Sequence, residues 1–164
     1  MSGLLQKMME GLTMDDAADA HFKQFLKRRQ PPVLTDQQLR KGKNFDLDKV
    51  TLDHRIRMIS KFACRMAVLD TEEQVALFHC GENSKVCGEA ELGELRFGME
   101  FLPAIEKLLK VYPKWTKIKD LDIDIEDKYV DENRILLAEQ CLETGCFEIS
   151  KVASTIKVAN TIKK

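Results

Sequence analysis

The sequence lacks any apolar run approaching the roughly 18 residues that a membrane-spanning helix requires. Its first residues contain no apolar signal-peptide core and turn acidic at Asp15 and Asp16. Linkers rich in glycine or serine and low-complexity tracts are also absent. These absences predict an intracellular, cytoplasmic, soluble protein whose 164 residues build a single core.

The chain also lacks a large net charge of either sign, and it lacks the common catalytic motifs. The net charge is -1, which excludes a global basic field for nucleic acid. The chain has no phosphate-binding glycine loop, no dinucleotide fingerprint and no H-E-x-x-H pair. His79 adjoins Cys80, but neighbouring residues on a helix point in different directions, so they do not indicate a nucleophile and its base. The sequence therefore gives catalysis little support and favours a non-enzymatic role.

Cysteine is present in an odd number without a secretory context, which predicts free thiols in a reducing compartment. Zinc sites usually pair cysteines across two to four residues. Only Cys141 and Cys146 have that spacing, and Cys141 lies on the apolar side of its predicted helix, so small hydrophobic packing is the favoured role. The five cysteines are Cys64, Cys80, Cys87, Cys141 and Cys146.

Apolar residues recur at helical spacing along most of the chain. Pro31 and Pro32 end the first long helix, Pro103 interrupts another near Leu102, and Gly145 closes a third. We therefore predict an all-α fold, a single compact helical domain of six to eight helices over residues 13–164, with a long acidic connector. The predicted helices cover about 13–30, 36–42, 50–69, 71–80, 88–112, 132–144 and 148–162.

Residues 1–12 form a predicted amphipathic N-terminal leader ahead of this domain. Its methionine-rich apolar face suits a groove on a partner protein, because methionine tolerates variable packing. The alternative is that the leader folds back on the core of its own chain. The candidate partner contacts are Leu4, Leu5, Met8 and Met9.

An acidic run from Asp120 to Glu132 alternates strictly with apolar residues at its start. Asp120, Asp122, Asp124 and Asp131 occupy positions 1, 3, 5 and 12 of a calcium loop, but position 6, where such loops need glycine, is isoleucine. The run is thus a degenerate calcium-loop candidate, with calcium as its cofactor; otherwise no cofactor is expected. The competing interpretation is an extended connector that turns its leucine and isoleucines inward.

Two sets of basic residues are further candidate binding sites. Arg57, Lys61 and Arg65 recur every four residues on the predicted helix 50–69, opposite its apolar face. Like charges at that spacing repel, so solvent, the acidic run, or a partner's acids or phosphates would cover them. Basic residues within 27–43 could contact nucleic acid, although Phe22 and Phe25 fit the apolar face of their helix instead of a stacking surface.

The function predicted from these observations is a non-enzymatic protein-interaction or assembly subunit that presents helical surfaces to a protein partner. The first alternative is a divalent-cation-binding helical regulatory protein that uses the acidic run. The second alternative is a nucleic-acid-associated subunit, which the charge distribution does not favour.

Overall fold

The computed structural model of the chain describes residues 14–36, 38, 47–69, 72–83 and 92–150. These residues form three α-helices and two antiparallel three-stranded sheets, so the all-α prediction is wrong. The helices are α1 (Met14–Arg28), α2 (Leu102–Lys110) and α3 (Val130–Glu143). The strands are β1 (Arg55–Met58), β2 (Cys64–Leu69), β3 (Gln74–His79), β4 (Gly93–Gly98), β5 (Thr116–Lys117) and β6 (Phe147–Ser150).

The two sheets have different topologies. One sheet is the meander β2-β3-β4, whose strands follow one another along the chain. The other has the order β5-β1-β6, so its central strand comes from much earlier in the sequence than its neighbours. In that sheet Ile56 lies opposite both Thr116 and Ile149.

The segment predicted as a helix over 50–69 forms β1, a turn and β2 instead. Its apolar residues have helical spacing, but in β1 the burial alternates, with Ile56 and Met58 buried between exposed or half-buried neighbours. Pairing of β1 with the distant strands β5 and β6, which no local pattern reveals, satisfies its backbone groups, and β2 pairs with the next strand, β3. The predicted helices at 71–80 and 148–162 are likewise wrong over β3 and β6.

Three other elements match their predictions closely. Helix α1 ends at Arg28, shortly before the two prolines. The predicted break at Leu102 is the start of α2, which has proline in its first turn, whereas the preceding part of that predicted helix is β4. Helix α3 ends where Gly145 adopts a φ of 68°, a left-handed conformation that favours glycine.

The predicted helix over 36–42 has the reciprocal hydrogen bonds of a helix N-terminus at its start, between Thr35 and Gln38, while residues 37 and 39–46 lie outside the described residues. The Gln38 side chain accepts from the Thr35 backbone N–H at 2.9 Å, and the Gln38 N–H donates to Thr35 Oγ1 at 3.3 Å. The leader 1–12 and residues 151–164 lie outside the described residues.

The hydrophobic core lies where the helices cover the two sheets. Helix α1 packs on β2 and β3, α2 packs on β1 and β2, and α3 packs on β6. Fully buried side chains come from the three helices and from β1 and β3; among them are Leu26, Ile56, Leu77, Leu108 and Leu137. None of the described helices is long and apolar enough to cross a membrane.

Candidate functional site

The three basic residues predicted to share one helical face lie on three different elements. Arg57 is in β1, Lys61 is in the turn that follows, and Arg65 is in β2. The prediction of one helix that carries all three residues is therefore wrong. Their role in binding a partner stays a prediction. Their surroundings now separate two structural arginines from one exposed lysine.

Arg57 joins the three strands of the β5-β1-β6 sheet. Its Nε donates to Glu148 Oε1 at 2.7 Å from the directly opposite position on β6. Its Nη1 donates to the Pro113 carbonyl at 3.2 Å, and the guanidinium lies 4.3 Å from the centre of the Trp115 ring. A guanidinium pairs with carboxylate and stacks on indole at the same time, so Arg57 fixes the position of β5 and β6 on either side of β1.

Arg65 attaches helix α1 to the other sheet. Its Nη2 lies 2.5 Å from Asp19 Oδ1, and its guanidinium lies 5.1 Å from the centre of the Phe22 ring. Both contacts reach across from β2 to α1. The acidic run contributes to neither arginine, so the idea that it covers these basic residues is wrong; Glu148 and Asp19 do so instead.

Lys61 lies in a surface that combines basic and aromatic side chains. Arg29, just beyond α1, donates from Nη2 to Ser60 Oγ at 3.0 Å and lies 5.5 Å from the centre of the Phe25 ring. Lys61 Nζ lies 5.6 Å from the centre of the neighbouring Phe62 ring. We call Phe25, Arg29, Ser60, Lys61 and Phe62 the basic–aromatic surface.

The exposure of its two phenylalanines corrects an assumption made from the sequence. Phe25 is 44% exposed, whereas helical spacing assigned it to the apolar face of its helix, and Phe62 is 49% exposed. The sequence does carry a signal for this surface: residues 20–35 and 59–65 contain no aspartate or glutamate. The absence of acidic residues indicates a basic surface only once the fold is known to place the two segments side by side.

The acidic run is an extended connector with the predicted alternation of burial. Leu121 and Ile123 are buried, while Asp120, Asp122 and Asp124 are exposed. Short helical turns at Ile118–Asp120 and Asp127–Tyr129 flank it. The inward-facing leucine and isoleucine residues therefore fix the connector against the core.

The oxygen atoms of the connector meet basic side chains from the flanking helices. Lys107 Nζ donates to the Asp120 carbonyl and lies 2.8 Å from Asp122 Oδ2. Asp131 pairs with Arg134 at 2.9 Å, and Arg134 also donates to the Leu121 carbonyl at 2.7 Å.

No group of three or more His, Cys, Asp or Glu side chains in the described ranges could hold a metal ion. The calcium site proposed at Asp120, Asp122, Asp124 and Asp131 gains no support from this geometry and stays a prediction.

Helix α3 presents acidic side chains. It contains Asp131, Glu132, Glu139 and Glu143 against one basic residue, Arg134, whose guanidinium is engaged with Asp131 and with the connector. Leu136 is 45% exposed on the same helix. The outer surface of α3 therefore combines negative charge with an apolar side chain.

Buried thiols occupy the junction between the two sheets. Cys64, Cys80, Cys141 and Cys146 are all buried and free. A hydrogen bond with Cys146 and burial raise the pKa of the Cys80 thiol, and burial raises the pKa of Cys141 to about 12. Contact with Cys64 and burial raise the pKa of Cys146 to about 12. Since the thiolate is the reactive form, Cys80, Cys141 and Cys146 act as core residues at neutral pH.

Two buried polar residues near these thiols were not predicted from the sequence. Asn83 donates from Nδ2 to the carbonyls of Leu26 and Arg29, each at 2.6 Å, and so satisfies the end of α1. His79 is 2% exposed, and its Nδ1 has no hydrogen-bond partner within the described structure. Burial lowers the pKa of His79, and the charge of Glu82 opposes that change.

A family model described as the C-terminal winged helix domain of ribosomal oxygenase 1 matches residues 27–147, from the end of α1 to the first residue of β6. The chain belongs to this family. Within the winged-helix domain, α2 and α3 are the helices that precede β6, and β1 lies beside β6 in the sheet.

Three curated relatives resemble this winged-helix chain. The bifunctional lysine-specific demethylase and histidyl-hydroxylase NO66 of Branchiostoma floridae is 26% identical over 157 residues, 85% of this chain and 26% of that protein. NO66 of Dictyostelium discoideum is 30% identical over 134 residues, 78% of this chain and 25% of that protein. Ribosomal oxygenase 1 of Danio rerio is 26% identical over 157 residues, 88% of this chain and 28% of that protein.

The chain spans about a quarter of the length of these relatives. Their names are those of enzymes, and the matched family is a domain of an oxygenase. This finding overturns the prediction of a non-enzymatic interaction or assembly subunit. It also overturns the two alternatives, a cation-regulated helical protein and a nucleic-acid-associated subunit, because neither describes an oxygenase winged helix.

Proposed function

We propose that this chain serves as the winged-helix part of an oxygenase that hydroxylates histidyl side chains and demethylates lysyl side chains of proteins. The observation that carries the proposal is the family match over residues 27–147. The names of the Branchiostoma and Dictyostelium relatives supply the two reactions. In this proposal the winged helix supports the reaction through contacts with protein.

The charge of α3 favours a protein over duplex DNA as the molecule that this domain contacts. A helix–turn–helix protein that reads DNA places its second helix in the major groove, and phosphate contacts from lysine and arginine supply most of the affinity. Helix α3 follows α2 in that order, yet it contains four acidic residues and one basic residue. Its acids would repel phosphates at this position.

The only basic residue of α3 also forms hydrogen bonds within the domain. Arg134 donates to Leu121 and Asp131, with bonds of 2.7 and 2.9 Å, and its side chain is 22% exposed. Turning it toward a phosphate would break both bonds and leave the buried end of the connector without its donor. The acidic surface of α3 thus supports a protein partner, as the sequence suggested, and an intracellular location accords with this proposal.

A chimaeric enzyme tests the proposed function. In NO66 of Dictyostelium discoideum, the segment matched by this chain would be replaced by the chain itself, and lysine demethylation and histidyl hydroxylation would be measured. We expect the chimaera to retain both reactions and a variant lacking the segment to lose activity. A folded chimaera no more active than the deleted variant would contradict the proposal.

A DNA-binding assay tests the nature of the contact separately. We expect α3 to contribute no salt-sensitive affinity for duplex DNA, and a Glu132→Lys, Glu139→Lys, Glu143→Lys variant to gain some. Tight, salt-sensitive binding by the unaltered chain, lost when Arg134 is replaced by glutamine, would show that α3 does contact phosphate.

A further inference from the structure

The fold brings together two segments that are basic and free of acidic residues. Residues 20–35 contain Lys23, Lys27, Arg28 and Arg29, and residues 59–65 contain Lys61 and Arg65, with no aspartate or glutamate in either segment. The hydrogen bond from Arg29 to Ser60 and the contact of Arg65 with Phe22 hold the segments side by side. The net charge of -1 therefore conceals a local concentration of positive charge.

Two cations, Arg29 and Lys61, lie at the centre of this region. Within the described part of the chain, Arg29 and Lys61 form no ion pair with a carboxylate, unlike Arg57 and Arg65. Lys61 is exposed, and its ammonium lies over the ring of Phe62. These two side chains are available to an anionic partner without loss of an internal ion pair.

The same surface exposes two large apolar side chains. Phe25 and Phe62 remain 44% and 49% exposed, although burial of a phenylalanine side chain is stabilising. Positive charge and exposed aromatic rings next to each other are complementary to a ligand that carries both acidic and apolar groups.

We propose that the basic–aromatic surface, centred on Arg29, Lys61, Phe25 and Phe62, binds an acidic peptide segment of a partner protein that also carries aliphatic side chains. The carboxylates pair with Arg29 and Lys61, and the aliphatic side chains cover the exposed parts of the two phenylalanines. This inference depends on the geometry of the two segments and holds independently of the oxygenase reaction.

The surroundings of the rings favour a peptide over single-stranded nucleic acid. Bases stack on open aromatic faces, but here Arg29 and Lys61 lie over the rings, 5.5 and 5.6 Å from their centres. Phe25 is also in tilted contact with Phe22, with 5.5 Å between ring centres. A cation over one face of each ring leaves less open ring surface on which a flat base could stack.

Fluorescence anisotropy on the full chain tests the proposal with three labelled probes. They are a short peptide of glutamate and leucine, a peptide of the same length with glutamine in place of glutamate, and an oligouridylate of matched charge. We expect the acidic peptide to bind, its affinity to fall with rising salt, and the other two probes to bind more weakly.

Variants connect that binding to this surface. Lys61→Glu and Phe62→Ala should each weaken binding of the acidic peptide about tenfold, which corresponds to the loss of one well-placed contact. The control Lys114→Glu makes the same charge change at an exposed lysine outside the surface and should leave affinity unchanged. Unaltered melting temperatures would show that the variants fold.

Three outcomes would overturn the inference. The first is an affinity that Lys114→Glu lowers as much as Lys61→Glu does, since that would indicate attraction by overall charge. The second is unchanged binding by both Lys61→Glu and Phe62→Ala. The third is tighter binding of the oligouridylate that depends on Phe25 and Phe62, which would identify the surface as a base-stacking site. Activity of the chimaeric oxygenase plays no part in these measurements, so either proposal can fail without the other.

Discussion

The two sheets of this domain are held together in different ways. In the β2-β3-β4 meander the central strand is almost wholly apolar, and Val75, Ala76, Leu77 and Phe78 are all buried. In the β5-β1-β6 sheet the central strand carries Arg57, which pairs with Glu148 and stacks on Trp115. The strands of the meander pair with their neighbours in the sequence, so the loops that must close are short. In the β5-β1-β6 sheet the strands are far apart in the sequence, and a specific polar contact defines their register.

The largest effect should come from removing apolar volume in the meander. Leu77→Ala removes a side chain that is 0% exposed in β3 and should lower the free energy of unfolding by about 3 kcal/mol. Leu136→Ala, at a leucine that is 45% exposed on α3, is the matched control and should cost less than about 0.5 kcal/mol. Equal costs in urea denaturation would mean that burial in β3 does not dominate this sheet.

The polar contact of the other sheet should give the next largest effect. A double-mutant cycle with Arg57→Met and Glu148→Gln should yield a coupling energy of about 1–2 kcal/mol, because the pair is largely shielded from solvent. The comparison pair in the meander is Arg96 and Glu72, whose side chains are both about half exposed. Its coupling should be about 0–0.5 kcal/mol, and a larger value there than at Arg57 would reverse the contrast.

A smaller effect is expected at the turn from α3 into β6. Gly145 has a φ of 68°, and a Cβ there would meet no atom within 4 Å. Gly145→Ala should therefore cost only the backbone strain, about 1 kcal/mol. Gly145→Asn should cost less, because asparagine tolerates this conformation. Thermal denaturation of the two variants would measure the difference, and equal stability of all three proteins would exclude strain at this turn.

The smallest effect should be a loss of stability of the meander at acidic pH. Burial lowers the pKa of His79 in β3, so the unfolded chain takes up the proton more readily than the folded one. Stability should therefore fall as the pH decreases below about 6.5, and Glu82 limits the effect. His79→Gln should reduce this slope in urea denaturation, while His21→Gln, at an exposed histidine, should keep it. An unchanged slope in His79→Gln would assign the effect to another group.

Local signals in the sequence were sufficient to predict where helices end and which side of the acidic connector is buried. The prolines after α1, the break at Leu102 and the glycine after α3 lie at the ends of real helices, and the alternation of Leu121 and Ile123 with aspartates matches their burial. Capping, chain breaks and one-sided burial are properties of neighbouring residues, which is why a single sequence reveals them.

The strands were missed for two reasons, burial on both faces and pairing with distant segments. Strand β3 is buried on both faces, so it shows no alternation that would distinguish it from a buried helix. The apolar residues in and around β1 recur at helical spacing, but this segment is extended because it pairs with β5 and β6. The basic–aromatic surface was missed for the same reason, since Arg29 and Ser60 come into contact only through packing of α1 on β2.

The central position of β1 has a consequence during synthesis of the chain. Glu148, which pairs with Arg57, lies 91 residues later, so β1 leaves the ribosome long before β6 exists. The meander can form first, while both edges of β1 remain without neighbours. Unpaired strand edges associate readily with other chains. A chain that stops before Phe147 lacks β6 and leaves one edge of β1 unpaired, so it should be prone to aggregate even though its meander and its three described helices are complete.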